Sequence, residues 1–89
     1  MKMKLTIEVW QKGPWFIAKC PELDFVSQGP TLEQARDNLL EVIQIQFEEM
    51  TVTSTLDDYL AECGYVKEDN FLEPRSERVA VETYAMQVA

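Results

Sequence analysis

Histidine is absent from this 89-residue sequence, and glycine and cysteine are scarce, with three and two residues respectively. Without histidine, acid–base and nucleophilic catalysis would depend on cysteine, serine, lysine or carboxylate groups, none of which has a supporting partner in the sequence. No ordinary set of four zinc ligands is present either. Each glycine stands singly at a predicted turn, so there is no Gly-rich loop to hold a phosphate group. We therefore expect no catalytic residue, no cofactor and no metal site.

Long apolar runs are also missing. No stretch approaches the roughly 18 residues that a helix needs to cross a bilayer. The first residues, Met1-Lys-Met-Lys-Leu5, are basic but lack the apolar region of a secretory signal. These absences predict a cytoplasmic protein without membrane contact, in which Cys20 and Cys63 remain reduced thiols.

Basic residues are few. Eight lysines and arginines stand against sixteen acidic residues, which gives a net charge of −8. A field of this sign repels phosphate backbones and disfavours nucleic-acid binding. Lysines beside the aromatic residues of the first hairpin leave a nucleic-acid stacking platform as a minor alternative. The acidic surface either suits a basic protein partner or simply keeps the protein in solution.

The chain is also short for a self-sufficient core. A domain of this size buries only roughly 60–65% of its unfolded surface. We expect a single domain over residues 1–89, with association into a dimer or a larger homo-oligomer. The sequence shows no internal repeat and no low-complexity segment.

Alternation of polar and apolar residues predicts the strands. A period of two runs through residues 2–10, and the turn residues Gln11-Lys-Gly-Pro14 separate it from an apolar run over 14–20. A short third strand is predicted at 24–28. Residues 78–88 also alternate but are apolar on both faces, which predicts a last strand covered on one side by the helix and on the other in part by another chain. This strand could pair in parallel with the first strand, because the helices supply a crossover.

Helical periodicity begins after Gly29-Pro30. Thr31 and Gln34 have the spacing of a capping box, and the apolar stripe that follows predicts a main helix over 32–50. A short helix is predicted at 56–63 and a loop at 65–76. The order of elements indicates a two-layer α+β domain of β-β-β-α-(α)-β form, with a mixed or antiparallel sheet and one main helix packed on one face.

One segment carries a family resemblance. Pro21-Glu-Leu23, the run from Ser27 to Ala35 and the preceding Trp15-Phe-Ile-Ala18 resemble the HicB family of small antitoxin-like proteins, and the similarity covers roughly residues 3–50. The residues of this motif have turn, capping or packing roles. They are Pro21, Ser27, Gln28, Gly29, Thr31, Gln34 and Ala35.

The resemblance implies a reduced ribonuclease-H-like fold without a nuclease site. It also implies an antitoxin that binds and neutralises a small HicA-like ribonuclease toxin. Typical members add a C-terminal DNA-binding module, but residues 51–89 contain only three basic side chains and no basic helix pair. Operator binding by this chain is therefore in doubt, and its layout resembles the short members of the family.

Surplus apolar and acidic surface provides the candidate partner-binding residues. They are Trp10, Trp15, Glu41, Glu48, Glu49, Asp57 and Asp58. Three functions stay open: an antitoxin that binds a basic HicA-like toxin, an orphan homo-oligomeric scaffold without a toxin, and a residual metal-dependent nuclease. The nuclease hypothesis requires carboxylates that converge on magnesium.

Overall fold

The computed structural model, which describes residues 1–89, is an α+β arrangement of six strands and two helices. The strands form two three-stranded sheets, with orders β2-β3-β4 and β1-β6-β5. The main helix packs on the first sheet. The elements are β1 (Lys2–Met3), β2 (Glu8–Lys12), β3 (Trp15–Cys20), β4 (Phe25–Gly29), α1 (Leu32–Val52), α2 (Leu56–Glu62), β5 (Tyr65–Glu68) and β6 (Phe71–Pro74).

Small side chains bring α1 close to the first sheet. Ala18 of β3 lies opposite Val9 and Ser27 in an antiparallel register. Ala18 and Ala35 of α1 are both fully buried. Because alternate residues of a strand share a face, Phe16, Ala18 and Cys20 form the helix side of β3. The remaining buried core residues are Cys20, Leu23, Leu39, Ile43, Leu60 and Tyr65.

The start of α1 depends on two local features. The Thr31 hydroxyl accepts a hydrogen bond from the Gln34 N–H at 3.1 Å, which satisfies one of the free amides of the first turn. A Cβ on Gly29 would lie only 2.8 Å from the Ala35 backbone nitrogen. Glycine therefore lets the end of β4 and the first turn of α1 come into contact.

The predicted loop at 65–76 is wrong, because this segment forms the hairpin β5–β6. Its tight turn places Asp69 at a φ of 55°, in the left-handed region. β6 then pairs in parallel with β1, with Lys2 opposite Phe71. Parallel pairing with the first strand does occur, but its partner is β6 and not residues 78–88.

The predicted strand over 2–10 is interrupted between Met3 and Glu8. In the gap, the Thr6 N–H donates to Glu22 Oε1 at 3.0 Å and the Thr6 hydroxyl donates to Glu22 Oε2 at 2.6 Å. A side-chain carboxylate replaces a strand partner at this point. The alternating run therefore supplies one strand to each sheet.

The C-terminal segment, residues 77–89, contains no strand, which corrects the prediction for 78–88. Its side chains are exposed, with Val79 at 90% and Val88 at 97%. The radius of gyration is 15.6 Å, against about 12 Å for a compact chain of this length. Alternation creates a segment able to form a strand, but a strand also needs a partner, and this segment has none within its own chain.

Candidate interaction surface

The face of the first sheet opposite α1 carries large uncovered apolar side chains. Trp10 lies opposite Ile17, and Lys12 lies opposite Trp15. Trp10 is 60% exposed, Trp15 47% and Val26 56%. We call this surface the open sheet face, and its residues are Glu8, Trp10, Lys12, Trp15, Ile17, Lys19, Val26 and Gln28.

Positive charge accompanies these tryptophans. The open sheet face contains two lysines, Lys12 and Lys19, and one acid, Glu8. Lys19 lies opposite Glu8 across the β2–β3 pair, and Glu8 also forms an ion pair with Arg78 from the C-terminal segment. The open sheet face is thus an apolar patch with a basic margin on an otherwise acidic protein.

The helices form a separate, acidic surface. Residues 31–63 hold eight acids and a single base, Arg36. Glu41 and Glu48 are seven residues apart, so they share one side of α1, and both are exposed. Glu49 is also exposed, as are Asp57 and Asp58 in the first turn of α2. All five predicted acidic residues are therefore available to solvent.

The predicted partner-binding residues do not form one continuous surface. Trp10 and Trp15 belong to the open sheet face, whereas α1 covers the opposite face of the same sheet. Glu41 and Glu48 project from the side of α1 away from the buried Leu39 and Ile43. A small partner can contact the tryptophans or the helix acids, but it cannot cover both without wrapping around the domain.

The motif residues have structural positions. Pro21 opens the turn in which the Leu23 and Asp24 amides donate to the Cys20 carbonyl. Ser27 lies opposite Ala18 on the helix side of the sheet. The Gln28 carbonyl accepts from the Asn38 side chain at 2.9 Å, which ties β4 to α1. None of these contacts creates a reactive group.

A polar cluster that the sequence did not predict joins the two sheets. Burial by itself would raise the pKa of Glu22, but hydrogen bonds from the Thr6 hydroxyl and N–H outweigh it and hold the pKa below its ordinary value. Burial raises the pKa of the Cys20 thiol to about 11, so this cysteine is protonated at neutral pH. Glu22 belongs to the Pro-Glu-Leu motif. Its partner Thr6 lies in the gap that interrupts the predicted strand over 2–10, and no sequence pattern indicates that gap.

Two tyrosines complete this junction. The Tyr59 hydroxyl donates to the Leu23 carbonyl at 2.7 Å, and the Tyr65 hydroxyl donates to the Lys4 carbonyl at 2.8 Å. Burial raises the pKa of Tyr59 to about 12 and also raises that of Tyr65. Both hydroxyls therefore remain protonated donors at neutral pH and link sequence-distant segments.

An open cleft of about 870 Å³ lies beside this junction and the base of the C-terminal segment. Charged side chains of both signs line it, including Lys4, Glu22, Arg75 and Arg78. No three acidic or thiol side chains anywhere in the structure come together to hold a metal ion.

Neither helix has the length and apolar character required to traverse a bilayer. Comparison of the chain with family models, with curated proteins and with solved structures gives no match.

Proposed function

We propose that this chain is a non-enzymatic, antitoxin-type interaction domain that binds and neutralises a small, basic, HicA-like ribonuclease toxin in the cytoplasm. The exposed tryptophans of the open sheet face carry the proposal. The other face of the sheet is packed under α1, while Trp10, Trp15 and Val26 remain uncovered. Aromatic patches of this kind are typical of protein interfaces, where buried tryptophans supply much of the affinity.

Charge supports a basic partner. The eight acids of residues 31–63 give the helices a strongly negative field. Such a field attracts a cationic ribonuclease from a distance, which chiefly raises the association rate. In this proposal the helix acids raise the local concentration of a basic partner, and the apolar open sheet face on the other side of the sheet provides the contact that slows dissociation.

Co-expression with the product of a neighbouring gene for a small basic protein tests the proposal. We expect the two proteins to purify as a complex and the chain to restore growth that the toxin inhibits. Trp10→Ala with Trp15→Ala should abolish both effects, whereas Val52→Ala, at a site on α1 that is 85% exposed, should not. A stable toxin protein that neither binds the chain nor is inhibited by it contradicts the proposal.

Charge reversal distinguishes residues that speed association from residues that slow dissociation. Glu41→Lys with Glu48→Lys should slow association about 10-fold or more at low salt and leave dissociation nearly unchanged. The matched control is Glu68→Lys with Glu77→Lys, an equal change of charge at two exposed positions outside the helices. Equal effects of the two charge reversals would show that net charge, and not the acidic surface of α1, guides the encounter.

A homo-oligomeric scaffold without a toxin partner is the second candidate. It is favoured by the exposed apolar side chains of residues 79–88, which no part of the same chain covers. The identity of the neighbouring genes distinguishes an antitoxin from a scaffold. An antitoxin gene is expected beside a toxin gene, whereas a scaffold has no such requirement.

A further inference from the structure

The C-terminal segment has the pattern of a strand without a partner. Apolar residues occupy both alternating rows of the segment: one row contains Val79, Val81 and Ala85, and the other contains Tyr84 and Met86. Among residues 79–88, only Glu82 is charged. Both sides of the segment are apolar, with Val81 at 78% exposure and Met86 at 84%. Such a segment gains from joining the edge of a sheet, because its backbone groups are then paired and its apolar side chains lie beside those of the neighbouring strand.

One edge of the first sheet is free to accept such a strand. β2 and β4 are the two edges of this sheet. The β4 edge is engaged by α1 through the bond from Asn38 to the Gln28 carbonyl. β2 pairs with β3 on one side only, so its outer backbone groups form an open template for strand addition.

The segment starts beside this edge but leads away from it. Arg78, directly before residues 79–88, pairs with Glu8, the first residue of β2. Beyond Arg78 the chain extends into solvent, and the longest dimension of the molecule is 49 Å against 29 and 22 Å for the others. A segment that is anchored next to an unpaired edge and directed outward is placed to reach the equivalent edge of a neighbouring molecule.

We propose that residues 79–88 add as a strand to the free edge of β2 in a second copy of this chain, and that the two copies exchange these strands reciprocally. A two-fold axis makes the exchange self-complementary and closes it at a dimer. Charge permits this contact, because a strand with one acid meets the β2–β3 hairpin, which carries two lysines and one acid, and avoids the acidic helices. The inference is independent of the proposed function, since the added strand extends the sheet at its edge and leaves the open sheet face accessible.

Sedimentation velocity on the full chain tests the exchange. We expect a species of twice the 10.3 kDa chain mass. Val81→Pro with Ala85→Pro should raise the dimer dissociation constant at least about 10-fold, because proline cannot donate to a strand ladder. Val81→Thr with Ala85→Ser keeps the backbone donors and should retain the dimer. Since residues 79–88 do not pack on the body, circular dichroism should show that the proline variant is folded.

Disulfide trapping distinguishes exchange from pairing within one chain. In a Cys63→Ser background, Gln11→Cys in β2 and Ala80→Cys in the segment should give a covalent dimer under mild oxidation. A cross-linked monomer shows that the segment folds onto its own sheet and overturns the proposal. The proposal is also overturned if the native protein is a monomer, or if the proline variant dimerises as well as the Val81→Thr with Ala85→Ser control.

Discussion

Gly29 shows at the residue scale how an absent side chain sets the distance between a helix and a sheet. Gly29→Ala should destabilise the protein by about 1–3 kcal/mol, because the new Cβ would lie 2.8 Å from the Ala35 nitrogen and 3.0 Å from the Gln34 carbonyl carbon. Urea denaturation measures the change. The control is Gln28→Ala on the neighbouring exposed side chain, with an expected effect below about 0.5 kcal/mol. Equal stability of the two variants would show that the helix can shift freely.

Glu22 makes the folded state sensitive to acid. Its pKa is lower in the folded protein than its ordinary value of 4.5. Its contribution to stability is therefore fully present above that ordinary value and is lost as the pH falls through the folded-state pKa. Between pH 6 and pH 3, the free energy of unfolding should fall more steeply for the native protein than for Glu22→Gln, as measured by urea denaturation at each pH. Parallel curves would mean that the Thr6 bonds contribute no pH dependence.

The elements that sequence reasoning could predict are those specified by local chemistry. Thr31 and Gln34 identify the start of α1, and the long stripe of apolar residues identifies its buried side. β5 and β6 were missed because the four-residue run from Lys67 to Asn70 reads as a loop, while the pairing of Tyr65 with Pro74 is not visible in any short window. The exposed tryptophans were predicted as interface residues. Their separation from the helix acids depends on which face α1 covers, and that is a tertiary property.

Tyr65 joins elements that lie far apart in the sequence. Tyr65→Phe should destabilise the protein by about 1 kcal/mol, because the Lys4 carbonyl loses its partly buried donor at 2.8 Å. Thermal or urea denaturation checks the value. Tyr84→Phe is the matched control, since Tyr84 is 75% exposed and removal of its hydroxyl should leave stability unchanged. A similar loss in both variants would contradict a special role for Tyr65.

At the scale of the whole molecule, the two tryptophans report on the open sheet face. Acrylamide should quench their fluorescence in the native protein about half as efficiently as in the unfolded chain, in line with exposures of 60% and 47%. Addition of a basic toxin partner should reduce quenching strongly. Proline substitutions in residues 79–88 should change it less, because strand exchange occupies the edge beside Trp10 and leaves Trp15 of β3 uncovered. Tryptophans that resist quenching in the free protein would contradict this arrangement.

The lysines of residues 1–20 and the acid-rich helices give the molecule an electric dipole moment in addition to its net charge. Residues 1–20 carry four bases and one acid, whereas residues 31–63 carry eight acids and one base. A body polarised in this way rotates in the field of an approaching molecule and presents one pole first. The range of this alignment follows the ionic strength, since the screening length shrinks from roughly 30 Å at 0.01 M salt to roughly 8 Å at 0.15 M. Dilute buffer therefore extends the range of this alignment, and cellular salt restricts it to molecules already close to contact.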